Sequence, residues 1–518
     1  MKLSKSLLIA TALVSAPSTA YAQSTPNEVE ALRAEVQLLK DQLAAISAKV
    51  DASDAAQKAK AAADAKKPAP AQSQVETKWK GAPETIGEGG WSFKPRGRIH
   101  YDVGSVSAPG ALQNRNLGFA SRIRRVRLGM EGTMPGDLGY KVDVDFANAN
   151  ISFGDVWLTY TPKNAPVVVR IGNFETLNSM EQISSSNNVT FMERNAFNDA
   201  FINARRLGAA VAVHGKNNEL FAEVGLFTGH TIDSSLDNDG WIGAARAYYA
   251  PKVGKAQLHL GANFQYRDFS TNNAGTPSAS LASPSTNQLA RYRARPNSQL
   301  TDVRFVDTGS FAAKGDSILG FEAAAIFPQF YISGEAQWLK TRGYKSGDTA
   351  TGLDTFSGGN AAVVPTDNPG FFGAFAEVGA FLTGETRGYN NKAGTWARPK
   401  VLKPLSKGGL GAFQVAARLD YLDLDTKELK AGLTNNFNTG AATLAALDSR
   451  LGRGGKQVGY LVGLNWYPID YARFMLNYAH VNVTGGPLAA AVLPASTGFV
   501  DTRKYGVDVI SARMQFEF

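Results

Sequence analysis

The chain is 518 residues long, carries a formal net charge of +9 and contains no cysteine. Disulfides and thiolate metal sites are therefore excluded, and the mildly negative mean hydropathy is too polar for a bundle of membrane helices. The basic balance leaves two partner classes, a nucleic acid or small anions drawn to a cationic surface or lumen.

The chain opens with Lys2 and Lys5, an apolar run from Leu7 to Val14, and Ala20-Tyr21-Ala22 with small residues at −3 and −1. This is the pattern of a cleavable export signal over residues 1–22, with the mature chain starting near Gln23. The apolar run is too short for a membrane helix, which takes about 20 residues. No later stretch of the sequence is long and apolar enough either. Export argues against a nucleic-acid partner. Only helices and closed barrels satisfy the backbone in lipid, so an exported soluble protein or a membrane β-barrel remains.

Val29, Leu32, Val36, Leu39, Leu43, Ile46 and Val50 then alternate steps of three and four. That is the a/d seam of a coiled coil, and it predicts an oligomerisation helix over 23–50. Pro26 and Asn27 supply a start signal, and Glu35 and Lys40 sit where charges pair across a parallel interface. Val at a with Leu at d favours two strands, while the Leu43/Ile46 layer favours more, so the order stays open. Residues 51–90 are rich in Ala, Lys, Asp, Gln and Pro, with Pro68 and Pro70. They read as fraying helix followed by a flexible linker.

From Trp91 the period changes to two. Strands are predicted at about 91–104, 120–134, 139–148, 151–161, 166–174, 204–215, 219–228, 240–250, 255–269, 317–327, 330–342, 371–382, 412–427, 456–467, 471–484 and 506–518. In the last of these, Ile510, Ala512, Met514, Phe516 and Phe518 alternate with Val509, Ser511, Arg513, Gln515 and Glu517. Tight turns rich in Pro, Gly, Asn and Asp alternate with long loops near 175–203, 270–316, 343–370, 428–455 and 485–505. Together these predict an all-β domain over 91–518, a transmembrane antiparallel barrel of about sixteen strands behind a short coiled-coil helix. One connection breaks the rule. Residues 383–411 fall where a tight turn belongs, so either a strand is misplaced there or the turn carries an insertion. Trp157, Tyr160, Tyr248, Tyr249, Trp466, Tyr467 and Tyr471 sit near strand ends, as interfacial girdles do.

The sequence holds no HExxH, GxSxG or serine–histidine–acid set, and its five histidines are scattered. Arg453-Gly454-Gly455-Lys456 lacks the leading Gly and the Ser/Thr of a phosphate loop. Asp237-Asn238-Asp239-Gly240 resembles a calcium loop, but Ser235 and Arg246 stand at its end positions. The chain is read as having no catalytic residue, metal or cofactor.

Arginine is the stronger signal. If Val126, Leu128 and Met130 face lipid, Arg125 and Arg127 point inward. Strict alternation points Arg122 and Arg124 outward, so either they lie above the apolar band or a β-bulge re-aims them. Arg96, Arg98, Arg170, Arg206 and Arg246 are inward by the same counting. Guanidinium forks suit phosphate and carboxylate oxygens, and a ring of them sets anion preference in a pore. The competing reading pairs each with a lumenal acid such as Glu131, Asp143, Asp145 or Asp155. The long loop after the fifth strand runs from Glu175 past Thr190, Phe191, Glu193 and Arg194. It folds into the lumen as a constriction or else faces solvent.

The chain resembles the phosphate-selective porin O and P family. The resemblance rests on Arg124-Arg125-Val126-Arg127-Leu128-Gly129, Val169-Arg170-Ile171-Gly172-Asn173-Phe174, Thr190-Phe191-Met192-Glu193-Arg194 and Phe381-Leu382-Thr383-Gly384-Glu385. It implies a homotrimer in the outer membrane of a Gram-negative bacterium, in contact with lipid and lipopolysaccharide, its heptad helices joined in the periplasm. It also implies passive uptake of small anions, with phosphate or polyphosphate leading and Arg98, Arg124 and Arg125 guiding them. Two positions depart from the family pattern. Glu175 and Thr176 follow strand five where a lysine is common, and Arg127 stands where a tyrosine is expected. General or organic-anion diffusion therefore stays open beside phosphate. A mainly structural barrel, tethered to the cell wall through residues 27–80, is the remaining alternative.

Overall fold

The computed structural model describes residues 26–66, 75–79, 81–112, 116–147, 151–202, 204–229, 231–232, 240–269, 289–343, 363–365, 367–430, 433–434, 445–446, 454–492 and 502–518. The predicted export signal, Pro68 and Pro70 of the linker, Asp237-Asn238-Asp239 and Arg453 lie outside the described residues. These residues fall into two units, divided between Gln74 and Val75.

The first unit is one helix, α1 (Pro26–Lys66). It runs past the heptad seam on an alanine-rich stretch, alanine being the best helix former. The seam residues Val36, Leu39, Leu43, Ile46 and Val50 are exposed, Leu43 by 73%. An apolar stripe of this kind gains by leaving water against another apolar surface.

The second unit begins with a hairpin, Glu76–Trp79 against Pro83–Ile86. It occupies part of the stretch expected to be linker. Thr77, Trp79, Thr85 and Ile86 supply residues that favour strands, and the hairpin extends the ladder of the first barrel strand through Thr85 and Phe93.

Sixteen antiparallel strands follow, at the places the alternation predicts. They are β1 (Ser92–Ser107), β2 (Gly118–Met134), β3 (Leu138–Asp145), β4 (Ser152–Tyr160), β5 (Val167–Glu175), β6 (Arg205–His214), β7 (Leu220–Thr228) and β8 (Trp241–Tyr249). Then come β9 (Ala256–Asp268), β10 (Gly315–Ile326), β11 (Phe330–Arg342), β12 (Gly370–Phe381), β13 (Ala412–Asp423), β14 (Lys456–Ile469), β15 (Ala472–Thr484) and β16 (Lys504–Glu517). Each pairs with its sequence neighbours, and β16 pairs with β1 from Asp508↔Ser107 to Glu517↔Arg98, which closes the barrel. Gly97 and Phe518 exchange backbone hydrogen bonds at the seam. Closure leaves no open sheet edge, and this holds a barrel together without disulfides.

The faces are inverted relative to a soluble sheet. Ile99, Tyr101, Leu128, Leu158 and Leu226 are exposed outside, whereas Arg98, His100, Asp102 and Arg125 are buried inside. No helix among the described residues is long and apolar enough to cross a membrane; the strands are the crossing elements.

The conflict in β2 resolves as a bulge. His100 opposes Arg125 and Tyr101 opposes Ile123, so Arg124 is the extra residue. The bulge shifts the alternation by one. Arg124 reaches Glu193 and Arg122 donates to the Gln299 carbonyl, while Ile123 takes the outward position.

Candidate functional site

Three segments fold into the barrel and shape what is left of its interior. The first is the 176–204 connection. Leu177 and Ser179 take positive φ values of 61° and 66°, turning the chain back from β5. A short helical turn, α2 (Met180–Ile183), follows with Ser179 as its cap, and α3 (Ala196–Ala200) is capped by Asn195. Phe191, Phe197 and Phe201 are almost fully buried. The barrel wall holds the segment's backbone. Arg473 Nη1 donates to the Val189 carbonyl at 2.8 Å, Asn465 to that of Thr190 at 3.0 Å, and Gln515 to that of Asn187 at 3.1 Å. Glu335 and Asp420 accept from the Glu181 and Ala196 amides at 2.7 and 3.0 Å. Arg418 bridges Glu181 and Glu377 in the same buried region.

The second is the long 382–411 connection, which is an insertion in a turn and not a misplaced strand. Its hairpin, Tyr389–Asn390 against Thr395–Trp396, rises into the lumen. Arg246 donates to the carbonyls of Ala393 and Gly394 at 3.1 and 2.7 Å, and Tyr248 to that of Asn391 at 2.6 Å. The first two segments meet where the Trp396 amide donates to Ser184 Oγ at 2.9 Å. The third, residues 289–314, closes over them from the loop end. Arg295 and Arg304 pair with Asp199 at 3.2 and 2.6 Å, and Asn297 donates to Asp420 at 2.6 Å.

The interior beside β9–β16 is thereby filled. Beside β1 and β3–β8 a cavity of about 450 Å³ remains open. A smaller one of about 80 Å³ lies at the turn end, and the two share Arg96, Arg98 and Asp143. These three residues are the neck between them.

The arginines predicted from sequence separate into two kinds. Arg96 pairs with Glu131, Arg127 with Asp145 at 2.7 Å, and Arg124 with Glu193 at 3.0 Å. Arg98 is different, its Nη1 donating to the hydroxyls of Ser185 and Ser186 at 3.3 and 3.0 Å. Arg125 is buried against His100 Nδ1 at 3.4 Å. Arg170 has only a distant carboxylate, Glu223 at 3.9 Å, and lies over the Trp157 and Phe174 rings at 5.6 and 4.9 Å. Arg206 does not border the cavity; it donates to the Arg205 and Gly229 carbonyls.

Within the constricting segment, Glu175 pairs with Arg205 at 2.8 Å, and Thr190 shares a hydrogen bond with Tyr331 at 2.7 Å. Phe191 lies under the Arg418 guanidinium at 4.8 Å. Arg194 donates to the Glu181 and Ser184 carbonyls at 2.9 and 2.8 Å. Glu193 also meets Arg513, at 2.8 Å. Burial by itself would raise its carboxyl, but Arg124, Arg513 and Arg125 hold it far below the usual carboxylate range.

Sequence reasoning passed over Lys141, Arg205 and Arg513. Lys141 and Arg205 converge on Asp155, and Arg513 forms a two-pronged pair with Asp102 at 2.6 and 2.7 Å. The alternation of β16 already grouped Arg513 with Gln515 and Glu517, opposite Ile510 and Phe516. Three girdle aromatics need correcting. Trp157 borders the cavity, and Tyr248 and Tyr467 are buried inside. Their place near strand ends was right, but the face was wrong because a period of two does not say which face is lipid.

The sequence profile of the phosphate-selective porin O and P family matches residues 93–518. The chain belongs to this family. An uncharacterized protein of Caulobacter vibrioides is 32% identical over 541 aligned positions, covering 99% of this chain and 95% of that one. Porin O of Pseudomonas aeruginosa is 26% identical, covering 75% of this chain and 82% of its own length. Among solved structures, the outer membrane channel DcaP of Acinetobacter baumannii matches with a TM-score of 0.44 at 11% identity, covering 84% of this chain and 99% of that one. The chain is an outer-membrane porin, and family and fold point to a channel.

Proposed function

We propose that this porin mediates passive, anion-selective diffusion of small solutes. Phosphate and polyphosphate are the leading candidates, as the family's description suggests. The observation that carries the reading is Arg98. Its guanidinium stands at the neck of the open lumen and is held there by two serine hydroxyls, with no carboxylate at bonding distance among the described residues. A cation fixed in this way keeps its field for a passing solute, whereas one paired with an acid spends much of it locally. The inward cations Arg96, Lys141 and Arg205 extend the basic path along the same wall, each partly offset by acids.

We further read the chain as exported through residues 1–22 and assembled as a homotrimer, with the exposed seam of α1 joining three copies on the periplasmic side. The barrel is embedded among lipid and lipopolysaccharide. Reversal potentials in a salt gradient across a planar bilayer test the central reading. The expected sign is that of anion preference, with phosphate competing against chloride current. A cation-selective or non-conducting protein would overturn it.

A further inference from the structure

The open cavity has two unlike walls. On the β1–β4 side its inward residues are charged, among them Arg98, Lys141, Asp143 and Asp155. On the side reached from β5 and the 176–204 segment it is bordered by Val168, Phe174, Leu177 and Ile183, with Trp157 facing them from β4. Trp157, Val168 and Ile183 are only half-buried, so part of this apolar surface is open to the cavity. Arg170 stands at the boundary between the two. It lies over the aromatic rings with its Nε buried, its side chain is about a third exposed, and its nearest carboxylate among the described residues, Glu223, is 3.9 Å from Nη1.

Inorganic phosphate has use for the first wall only. An anion with an apolar body has use for both. We propose that this cavity binds amphipathic organic monoanions, with an aromatic carboxylate as the fitting chemistry: the carboxylate on the terminal amino groups of Arg170 and the ring against Trp157 and Ile183. This rests on the anion-selective reading above and names a solute class for the same lumen. A guanidinium fork matches a carboxylate's two oxygens. A flat ring gains from the aromatic wall what a compact, strongly hydrated anion does not. The volume of about 450 Å³ exceeds the roughly 300 Å³ at which small-molecule sites begin.

The test uses the full-length porin in planar bilayers carrying chloride current, with sodium benzoate, acetate or phosphate added as blocker. Benzoate and acetate share the carboxylate and differ in the ring. Benzoate is expected to reach half-block at a concentration on the order of tenfold below that of acetate, the factor a buried aromatic contact supplies. Trp157→Ala should bring benzoate to the acetate value, Trp157→Phe should keep part of the gap, and Arg170→Ala should weaken both carboxylates. Equal half-block concentrations for benzoate and acetate in the unaltered porin would overturn the proposal, and so would a gap that survives Trp157→Ala. If a variant fails to insert, the comparison in the unaltered porin decides alone. Reversal potentials measured in the same bilayers keep the two readings apart. Cation selectivity removes the anion channel itself, whereas anion selectivity without a benzoate–acetate gap removes only the organic-anion site.

Discussion

The two halves of this barrel use the same residue types for different ends. Beside β9–β16 the interior is packed with in-folded chain, and several of its arginines are matched to carboxylates, while Arg473 donates to the Val189 carbonyl and to Gln515 instead. Arg418 meets Glu181 and Glu377, Arg267 meets Asp316 with two bonds of 2.6 Å, and Arg513 meets Asp102 and Glu193. Beside β1 and β3–β8 the interior is open; there serine hydroxyls hold Arg98, and Arg170 has its nearest carboxylate among the described residues, Glu223, at 3.9 Å. A buried, matched ion pair fixes the position of a segment, because removing one partner strands the other charge in a low dielectric. An unmatched cation beside water is left for solute. The contrast separates scaffold from selectivity by partner and not by residue type.

The largest effect should come from removing in-folded chain that borders the open cavity. Replacing residues 383–410 with a tight turn removes the hairpin that Arg246, Tyr248 and Ser184 tie in place. Single-channel conductance should rise severalfold. An unchanged conductance would mean that this hairpin does not limit the current.

The next effect is on stability. Arg418→Met leaves Glu181 and Glu377 facing each other without their cation, which should cost about 3–5 kcal/mol. Thermal unfolding in detergent reads the loss, and open-channel noise should rise as the 176–204 segment loosens. A midpoint within a degree of the unaltered protein would show that this cluster does not hold the segment.

Selectivity should respond to matched and unmatched arginines differently. Arg98→Ala removes charge at the neck and should lower the anion-to-cation permeability ratio. Removing Arg127 and Asp145 together, as Arg127→Met with Asp145→Leu, leaves the lumen's charge balance intact and should shift the reversal potential less. Equal shifts would erase the distinction between matched and unmatched arginines. Arg124→Ala with Arg125→Ala should also lower anion selectivity, and unchanged reversal potentials would take that pair out of the mechanism.

Much of this was legible in the sequence. A period of two over some ten residues, with charge on one face, marks a strand with a wet side and a lipid side, and all sixteen strands follow from it. Even the bulge at Arg124 announced itself, as the one place where strict alternation would put arginines into lipid. The pairing of the arginines was not legible. Glu193 and Arg513 are separated by most of the barrel sequence, and only its closure brings them together. The infolding of 382–411 was equally hidden. Its length was visible, but its anchors, Arg246 and Tyr248, lie on a strand remote in sequence. Trp157 was misread because an aromatic near a strand end suits a girdle and a lumen equally well.

The smallest expected effect concerns acid. Glu193 joins the in-folded segment to Arg124 of β2 and Arg513 of β16, and these cations hold its carboxyl far below the usual range. A depressed carboxylate contributes stability above its unfolded pKa of about 4.3, and loses it only as the pH falls through the folded value. The contribution should therefore be complete and flat from pH 8 to 5. Glu193→Gln keeps the shape but loses the charge-assisted bonds, at a cost of about 1–3 kcal/mol. The difference in unfolding midpoint between the two proteins should be constant over that window. Below about pH 4 the gap should narrow, because the unfolded chain takes up a proton that folded Glu193 does not; a gap that stays flat there as well would mean that Glu193 titrates as an ordinary carboxyl. The segment would then be held by its backbone anchors, Val189, Thr190 and Asn187, and not by the charge at its tip.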